Sequence, residues 1–94
     1  MGGKIIQGNT PEQNRFVSIS DFKWCIHDGG EVQFIYHAKI YGIIHHHGKI
    51  IISQLYNEET EKAYDTVDEL LKYNVDGDPL YNVITKVTVI DRTI

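Results

Sequence analysis

The sequence predicts an α+β fold, in which a long β-meander, one α-helix and a final strand build a four-stranded antiparallel sheet with the helix packed on one face. Three observations predict it. Apolar and polar residues alternate over residues 31–44, as in a half-buried strand. The stretch DTVDELLKYNVDGDP begins with residues that cap helices and ends with residues that stop them. A chain of 94 residues, 41% apolar and 23% charged, is large enough for one modest core.

The chain divides into a short N-terminal segment and one domain. Residues 16–94 carry the apolar patterning and are expected to form the single α+β domain. Residues 1–15 are expected to be either a partly flexible segment or a short edge strand at Lys4–Gln7 followed by one helical turn. Thr10 can cap that turn, and Pro11 suits its first position.

The meander is predicted from three strand-like stretches. Phe16–Ile26 is rich in residues that favour strands, and the turn-forming sequence Asp28–Gly30 separates it from a second strand, Glu31–Ile44. A loop over His45–Gly48 leads to the third strand, Lys49–Tyr56. Because both connections are short, the three strands are expected to be antiparallel neighbours.

The register of the meander is predicted from the pairing that brings apolar residues together. Trp24 then faces Phe34, and Ile40 faces Ile52. One face of the sheet carries Phe22, Trp24, Ile26, Val32, Phe34, Tyr36, Ile40, Ile50 and Ile52. The apolar residues that begin the first strand fall on the other face, which predicts a β-bulge at Ser20–Asp21.

The predicted helix has clear start and stop signals. Thr66 and Glu69 match a capping box, and neighbouring aspartates complement the positive end of the helix dipole. The apolar stripe follows at Val67, Leu70 and Leu71. Gly77 can adopt the left-handed conformation that ends a helix.

Two further elements follow the helix. Pro79–Ile84 is predicted as one more helical turn, and Thr85–Ile90 as the final strand. Val87 and Val89 alternate with polar residues and are expected to point inward.

The negative charge is concentrated in one stretch. Eight acidic residues and two lysines give residues 57–79 a net charge of −6, whereas the whole chain carries −4. This stretch is interpreted as the solvated face of a helix, with a protein-docking surface or a nucleic-acid mimic as the alternatives. Binding to a phosphate backbone needs clustered Lys and Arg, so a nucleic-acid partner is not expected.

The sequence favours the cytoplasm and gives no membrane signal. Its start has no apolar region typical of a secretory signal, and no apolar run approaches the roughly 20 residues that cross a bilayer. Cys25 is the single cysteine, which excludes an internal disulfide and favours a reducing compartment. It lacks a neighbouring base or cation in the sequence and is interpreted as a small buried hydrophobe.

The five histidines are the most conspicuous candidates for chemistry. His45, His46 and His47 lie together at the tip of a predicted hairpin, while the meander would place His27 and His37 far from them. A zinc site needs three or four converging ligands, so an ordinary polar loop is expected and no metal or other cofactor is predicted. The alternatives are a local metal site at His45–His47 and a pH-dependent interaction through three adjacent imidazoles.

The face of the sheet away from the helix is the predicted partner-binding surface. The sequence contains one predicted helix, so that face is expected to be bare unless the N-terminal segment covers part of it through Ile5 and Ile6. Apolar residues expected there are Ile35, Tyr41, Ile43, Ile51 and Leu55, and His37 and Lys39 lie beside them. An apolar patch of this kind usually marks an interface, and tyrosine is enriched at interfaces. The candidate partner-binding residues are Ile35, His37, Lys39, Tyr41 and Ile43.

Two functions fit these observations. The first is a small non-enzymatic interaction protein, either a homo-oligomer or an inhibitor or adaptor that docks on a larger protein. In size, acidity and lack of catalytic motifs the chain resembles small phage and mobile-element proteins that inhibit host machinery. No phosphate-binding loop or catalytic spacing occurs, so enzyme activity is not predicted. The alternative is a metal- or small-ligand-binding protein that uses the loop at His45–His47.

Overall fold

A five-stranded antiparallel sheet is the centre of the fold in the computed structural model, which describes residues 14–93. The main helices and strands in that range are α1 (Ile19–His27), β1 (Val32–Tyr36), β2 (Lys39–His46), β3 (Lys49–Gln54), β4 (Asn57–Tyr64), α2 (Val67–Leu70), β5 (Asn74–Val75), β6 (Asp78–Pro79), α3 (Leu80–Val83) and β7 (Thr88–Arg92). The order in the main sheet is β4-β3-β2-β1-β7, and β5 and β6 form a separate small hairpin. The α+β class and the antiparallel sheet are confirmed, but the sheet has five strands rather than four, and several short helices replace the single one.

The stretch predicted as the first strand is the helix α1. The Ser18 hydroxyl caps it by accepting a hydrogen bond from the Asp21 N–H at 3.0 Å, and the Asp21 carboxylate accepts one from the Val17 N–H at 3.2 Å. Because this stretch is helical, the β-bulge predicted at Ser20–Asp21 does not exist. The predicted pairing of Trp24 with Phe34 is also wrong, since the Trp24 side chain is 56% exposed.

The helix α1 buries one side of its surface. Phe22, Cys25 and Ile26, at the i, i+3 and i+4 spacing of a helix face, are each fully buried. The Gly30 N–H donates to the Cys25 carbonyl oxygen at 2.8 Å, and a Cβ added to Gly30 would lie 2.7 Å from that oxygen. Only glycine fits at this position without a shift of the helix end, so the Gly-Gly sequence ends a helix here instead of joining two strands.

A two-residue turn at His37–Ala38 divides the predicted second strand into β1 and β2. Both turn residues have positive φ, 52° for His37 and 65° for Ala38, as a type I′ hairpin turn requires. The turn pairs Ile35 with Ile40. The prediction of one continuous strand over Glu31–Ile44 is therefore wrong.

The turn between β2 and β3 consists of His47 and Gly48, with φ of 51° and 76°. A connection within the predicted loop at His45–Gly48 is therefore present, but Ile52 pairs with Ile43 rather than with Ile40. β4 follows at the edge of the sheet and includes three glutamates that the charge pattern suggested were helical. That part of the acidic stretch is a strand with exposed charges.

The helices α1, α2 and α3 lie on the face of the sheet that carries its buried apolar side chains. Paired residues share a face, and the face that meets α1, α2 and α3 carries the buried side chains Val32, Phe34, Tyr41, Ile43, Ile50, Ile52 and Val89. The capping box at Thr66 and Glu69 is confirmed, although α2 is a single turn. The helical turn α3 is present as predicted, and the inward positions of Val87 and Val89 are confirmed by their burial.

Arg92 joins β7 to the start of the described chain. Its guanidinium lies 4.4 Å from the centre of the Phe16 ring, donates to the Asn14 carbonyl oxygen at 3.2 Å and contacts the Asp21 carboxylate at 3.4 Å. Phe16 in turn packs edge-on against Phe22, with the ring centres 5.0 Å apart. The edge of the sheet and α1 are thereby held together. The predictions made for Lys4–Gln7 and for a turn beginning at Thr10 lie outside the described residues.

Substitutions at neighbouring aromatic residues test the helical assignment of α1. Phe22→Ala is expected to lower the free energy of unfolding by about 3–5 kcal/mol, because it removes a fully buried ring. Trp24→Ala is expected to cost less than about 1 kcal/mol, because that ring is exposed. Denaturant unfolding of both variants measures the difference. Equal costs would indicate a strand that places both rings on one face.

The strained turn between β1 and β2 predicts a stabilising substitution. Ala38→Gly is expected to raise the free energy of unfolding by about 0.5–1 kcal/mol, because the left-handed conformation costs an L-residue more than glycine loses in chain entropy. Ala63→Gly, in β4, is the matched control and is expected to lower stability. Loss of stability in both variants would contradict the turn geometry.

Candidate functional site

One face of the sheet is left without cover by residues 14–93. The register places Gln33, Gly42 and Ser53 side by side on this face, next to a row formed by Ile44, Ile51 and Ala63. We call the face that carries these residues, together with Ile35 and Ile40, the open face. The Ile44 side chain is 47% exposed although it lies in the centre of a strand. An uncovered face was predicted, and the described residues agree with that prediction.

A shallow groove of about 230 Å³ lies at the centre of the open face. Its apolar lining comes from Ile44, Ile51 and Leu55, and Gly42 lies between them without a side chain. A Cβ added to Gly42 would meet Leu55 Cδ1 at 3.6 Å, an ordinary van der Waals distance. The groove exists because the residue at position 42 is glycine, and we call it the Gly42 groove.

Three carboxylates surround the Gly42 groove. They belong to Glu31, Glu61 and Asp91, and no lysine or arginine of residues 14–93 lines the groove with them. Glu31 is held in place because its carboxylate accepts a hydrogen bond from the His45 N–H at 3.2 Å and its own N–H donates to the Thr93 hydroxyl at 2.8 Å. The groove therefore combines aliphatic side chains with a negative rim.

The turn at His37–Ala38 changes which of the predicted residues reach this face. In a continuous strand, residues 35, 39, 41 and 43 would share a face. The two-residue turn instead pairs Ile35 with Ile40. The even-numbered residues of β2 therefore share the face of Ile35, and the odd-numbered residues lie on the opposite face. Ile35 lies on the open face as predicted, and so does Ile51. Tyr41 and Ile43 point into the core with 3% and 0% of their surface exposed, so their placement on the open face is wrong.

His37 and Lys39 are engaged in a contact at one end of the molecule. His37 Nδ1 lies 2.9 Å from one oxygen of the Asp76 carboxylate, and Lys39 Nζ donates to the other at 2.7 Å. The Tyr36 hydroxyl donates to the Asp78 carboxylate at 2.7 Å, and its ring stacks on His37. We call these contacts between the β1–β2 turn and the β5–β6 hairpin the turn latch.

The electrostatics of the turn latch follow from these hydrogen bonds. The hydrogen bond from Lys39 and, to a lesser extent, that from His37 lower the pKa of the Asp76 carboxyl. The hydrogen bond to Asp78 raises the pKa of the Tyr36 hydroxyl. The residues His37 and Lys39, predicted to bind a partner, thus hold two turns of the same chain together.

The histidine triplet has local partners instead of converging on one point. His45 Nε2 donates to the Gly30 carbonyl oxygen at 3.1 Å, while the rings of His46 and His47 stack with their centres 4.0 Å apart. Within residues 14–93, no three His, Cys, Asp or Glu side chains are arranged to hold a metal ion. The separation predicted for His27 is wrong, because α1 brings it to a surface pocket shared with His45.

Cys25 is a core residue, as predicted. Its side chain is fully buried, and burial raises the pKa of the thiol although Arg92 acts in the opposite direction. The sequence suggested no cationic neighbour, but Arg92 is one, brought from the other end of the chain. A buried thiol with a raised pKa is a poor nucleophile.

The Gly42 groove contains residues that the sequence pattern did not single out. Gly42 and Ile44 were not assigned a role, nor were the carboxylates Glu31, Glu61 and Asp91. A glycine in the middle of an apolar strand often marks a place where another chain approaches closely, and this signal was present at Gly42. The carboxylates could not be assembled from sequence because they lie 60 residues apart along the chain, at positions 31 and 91.

Comparisons with protein-family models, curated proteins and solved structures find no match to this chain. In the described range of residues, no helix has the length and apolar character needed to span a membrane. The candidate site is therefore defined by its geometry.

The lowered pKa of Asp76 predicts how the turn latch responds to acid. Its stabilising contribution is present above about pH 4, where the carboxyl is ionised in the unfolded chain, and is lost as the pH falls through the lower folded-state value. Asp76→Asn keeps a residue that tolerates the positive φ of this position. The difference in Tm between wild type and Asp76→Asn should be largest at neutral pH and shrink towards pH 3, in thermal unfolding at a series of pH values.

The control for this prediction is Glu59→Gln, which removes an exposed carboxylate of β4. It is expected to have a small effect at every pH. A Tm difference for Asp76→Asn that stays constant from neutral pH to acid would show that the latch does not depend on the ionised carboxylate.

Proposed function

We propose that this chain is a non-enzymatic interaction protein that docks a segment of another protein on its open face. The observation that carries the proposal is the Gly42 groove, an aliphatic depression in the centre of a sheet face that residues 14–93 leave uncovered. The prediction from sequence placed partner binding on this face, and the proposal keeps the face while replacing Tyr41 and Ile43 by Gly42 and Ile44.

The shape of the fold supports this use. A sheet normally buries each apolar face against another layer, and here α1, α2 and α3 all pack on the opposite face. Ile44, Ile51 and Leu55 remain accessible around the groove. Contiguous apolar surface of this kind, bordered by polar groups, is typical of protein–protein contacts.

The side chains around the groove favour recognition over catalysis. Its lining contains aliphatic groups, carboxylates, the Gln33 carboxamide and the hydroxyls of Ser53 and Thr93, and no histidine, cysteine or lysine from the described residues. A hydroxyl nucleophile needs an adjacent base that is itself oriented by a third group, and neither hydroxyl has that arrangement among the lining residues. Binding by shape and charge is what these groups can provide.

Charge favours a different protein over a second copy of this chain. In a symmetric dimer through the open face, the same surface meets itself, so Glu31, Glu61 and Asp91 would approach an identical set of carboxylates. Like charges brought together at an interface oppose association. A partner with another surface avoids this cost.

Selection from a random peptide library tests the proposal directly. Random dodecapeptides displayed on phage are selected on the immobilised chain, and the affinities of enriched peptides are measured by fluorescence anisotropy. Ile44→Ser is expected to weaken binding by about tenfold or more, because it removes an aliphatic contact from the centre of the groove. Trp24→Ser alters a similarly exposed apolar residue on α1 and is expected to change affinity by less than about twofold.

Two outcomes would overturn the proposal. Peptides that lose affinity for Trp24→Ser and keep it for Ile44→Ser would place the binding surface on the helical side. A wild-type chain that forms a dimer in solution, and becomes monomeric as Ile44→Ser, would show that the occupant of the open face is a second copy.

A further inference from the structure

We infer that the Gly42 groove takes an extended segment with one aliphatic side chain at its centre and a lysine or arginine on each side of it, all three side chains facing the groove. This inference rests on the proposed function, because it names the chemistry of the partner that docks on the open face. Three observations support it. They are the row of paired residues across the sheet, the empty space above Gly42 and the distribution of charge.

The groove lies along a row that runs across the strands. Asp91 pairs with Gln33, Gln33 with Gly42, and Gly42 with Ser53. Glu61 lines the groove beyond Ser53, on the edge strand β4. The row therefore has a carboxylate at each end and a position without a side chain in the middle.

The central space suits one aliphatic side chain. An apolar cavity of about 150 Å³ accepts a group the size of benzene, and the groove, at about 230 Å³, is larger and open on one side. Leu55 approaches to 3.6 Å of the place where a Cβ of residue 42 would lie, and Ile44 and Ile51 complete the apolar wall. A leucine-sized group entering above Gly42 would contact all three.

The spacing of the charges sets the length of the segment. Asp91 on β7 and Glu61 on β4 are four strand spacings apart, roughly 19 Å at about 4.8 Å for each spacing. An extended chain advances about 3.3 Å per residue and alternates its side chains, so cations four residues apart share a face with the residue midway between them and span about 13 Å. Their long side chains cover the remaining distance of roughly 3 Å at each end to the two carboxylates. Glu31 adds negative charge to the wall between them, and no cation of the described residues competes at the groove.

A substitution at Gly42 distinguishes a role of this residue in binding from a role in folding. Glycine in the interior of a strand destabilises it, and its backbone here is not in the left-handed region that would require glycine. Gly42→Val is therefore expected to raise Tm by about 2–6 °C, because valine favours strands, while filling the groove. If Gly42 served only the fold, its replacement by valine would not raise Tm while weakening binding.

The test uses three acetylated and amidated heptapeptides, TKALAKT, TSALAST and TEALAET, in which positions 2, 4 and 6 share one face; they are titrated into the ¹⁵N-labelled chain and followed by NMR. The cationic peptide is expected to shift the amide signals of Gly42, Ile44 and Ile51 and to bind roughly five- to tenfold more tightly than the neutral one at low salt. The acidic peptide is expected to bind more weakly than either. Gly42→Val should reduce the affinity for TKALAKT by about tenfold while raising Tm.

Substitutions of carboxylates inside and outside the groove test which of them produce the preference for a cationic peptide. Glu61→Gln together with Asp91→Asn is expected to remove the advantage of the cationic peptide, whereas Glu58→Gln together with Glu59→Gln makes the same change of charge outside the groove and is expected to preserve it. Equal binding of the three peptides at the open face would overturn the inference and leave the proposed function standing. Binding of the cationic peptide that is unaffected by Gly42→Val would overturn the assignment to this groove.

Failure of the proposed function has a different signature. Peptides selected on the chain would then be insensitive to Ile44→Ser, whatever their charge. Selected peptides that depend on Ile44 and carry no lysine or arginine would contradict the cationic partner alone.

Discussion

The two-residue turn at His37–Ala38 is the constraint on which the rest of the structure depends. It pairs Ile35 with Ile40 and so decides that the odd-numbered residues of β2 face the helices while the even-numbered ones face outward. Two L-residues in the left-handed region oppose this turn by about 1–2 kcal/mol each. The contacts of His37 and Lys39 with Asp76 act against that strain, so the small β5–β6 hairpin helps to fix the register of the main sheet.

Once the register is set, the distribution of the remaining elements follows. The inward face of the sheet gathers Phe34, Tyr41, Ile43 and Ile52, and the apolar sides of α1, α2 and α3 pack on this surface. Arg92 extends the same arrangement to the edge, where it joins β7 to Phe16 and Asp21. The outward face receives glycine, serine and glutamine in its central row, which cannot recruit a second helical layer from the described chain.

Local signals in the sequence were reliable where one short motif decides the structure. The capping box at Thr66 and Glu69 and the turn at His47–Gly48 depend on side chains within a few residues, and both are present. Elements whose structure depends on packing between distant parts of the chain were harder to predict from the sequence. Ser18 and Asp21 can cap α1, but the aromatic residues that follow also suit a strand, and only packing against the sheet selects the helix.

The errors at the candidate site have the same physical origin. The turn at His37–Ala38 contains no glycine, asparagine or aspartate, the residues that identify a type I′ turn. The sequence of β1 and β2 therefore predicted one continuous strand. This error reversed the face assigned to Tyr41 and Ile43. That residues 14–93 leave one face uncovered was nevertheless expected, because the sequence contained one predicted helix and a single helix covers only one side of a sheet.

The carboxylates at the edges of the open face combine two physical roles. Glu61 lies on the edge strand β4 and Asp91 on the edge strand β7, where exposed charge discourages one sheet from adding to another. The same charges stand at the two ends of the row through Gly42, where they repel an identical face and attract a cationic one. An apolar centre without those charges would favour aggregation, and the charges without the apolar centre would bind cations with little selectivity. Their combination on one surface keeps the open face accessible to a partner of complementary charge.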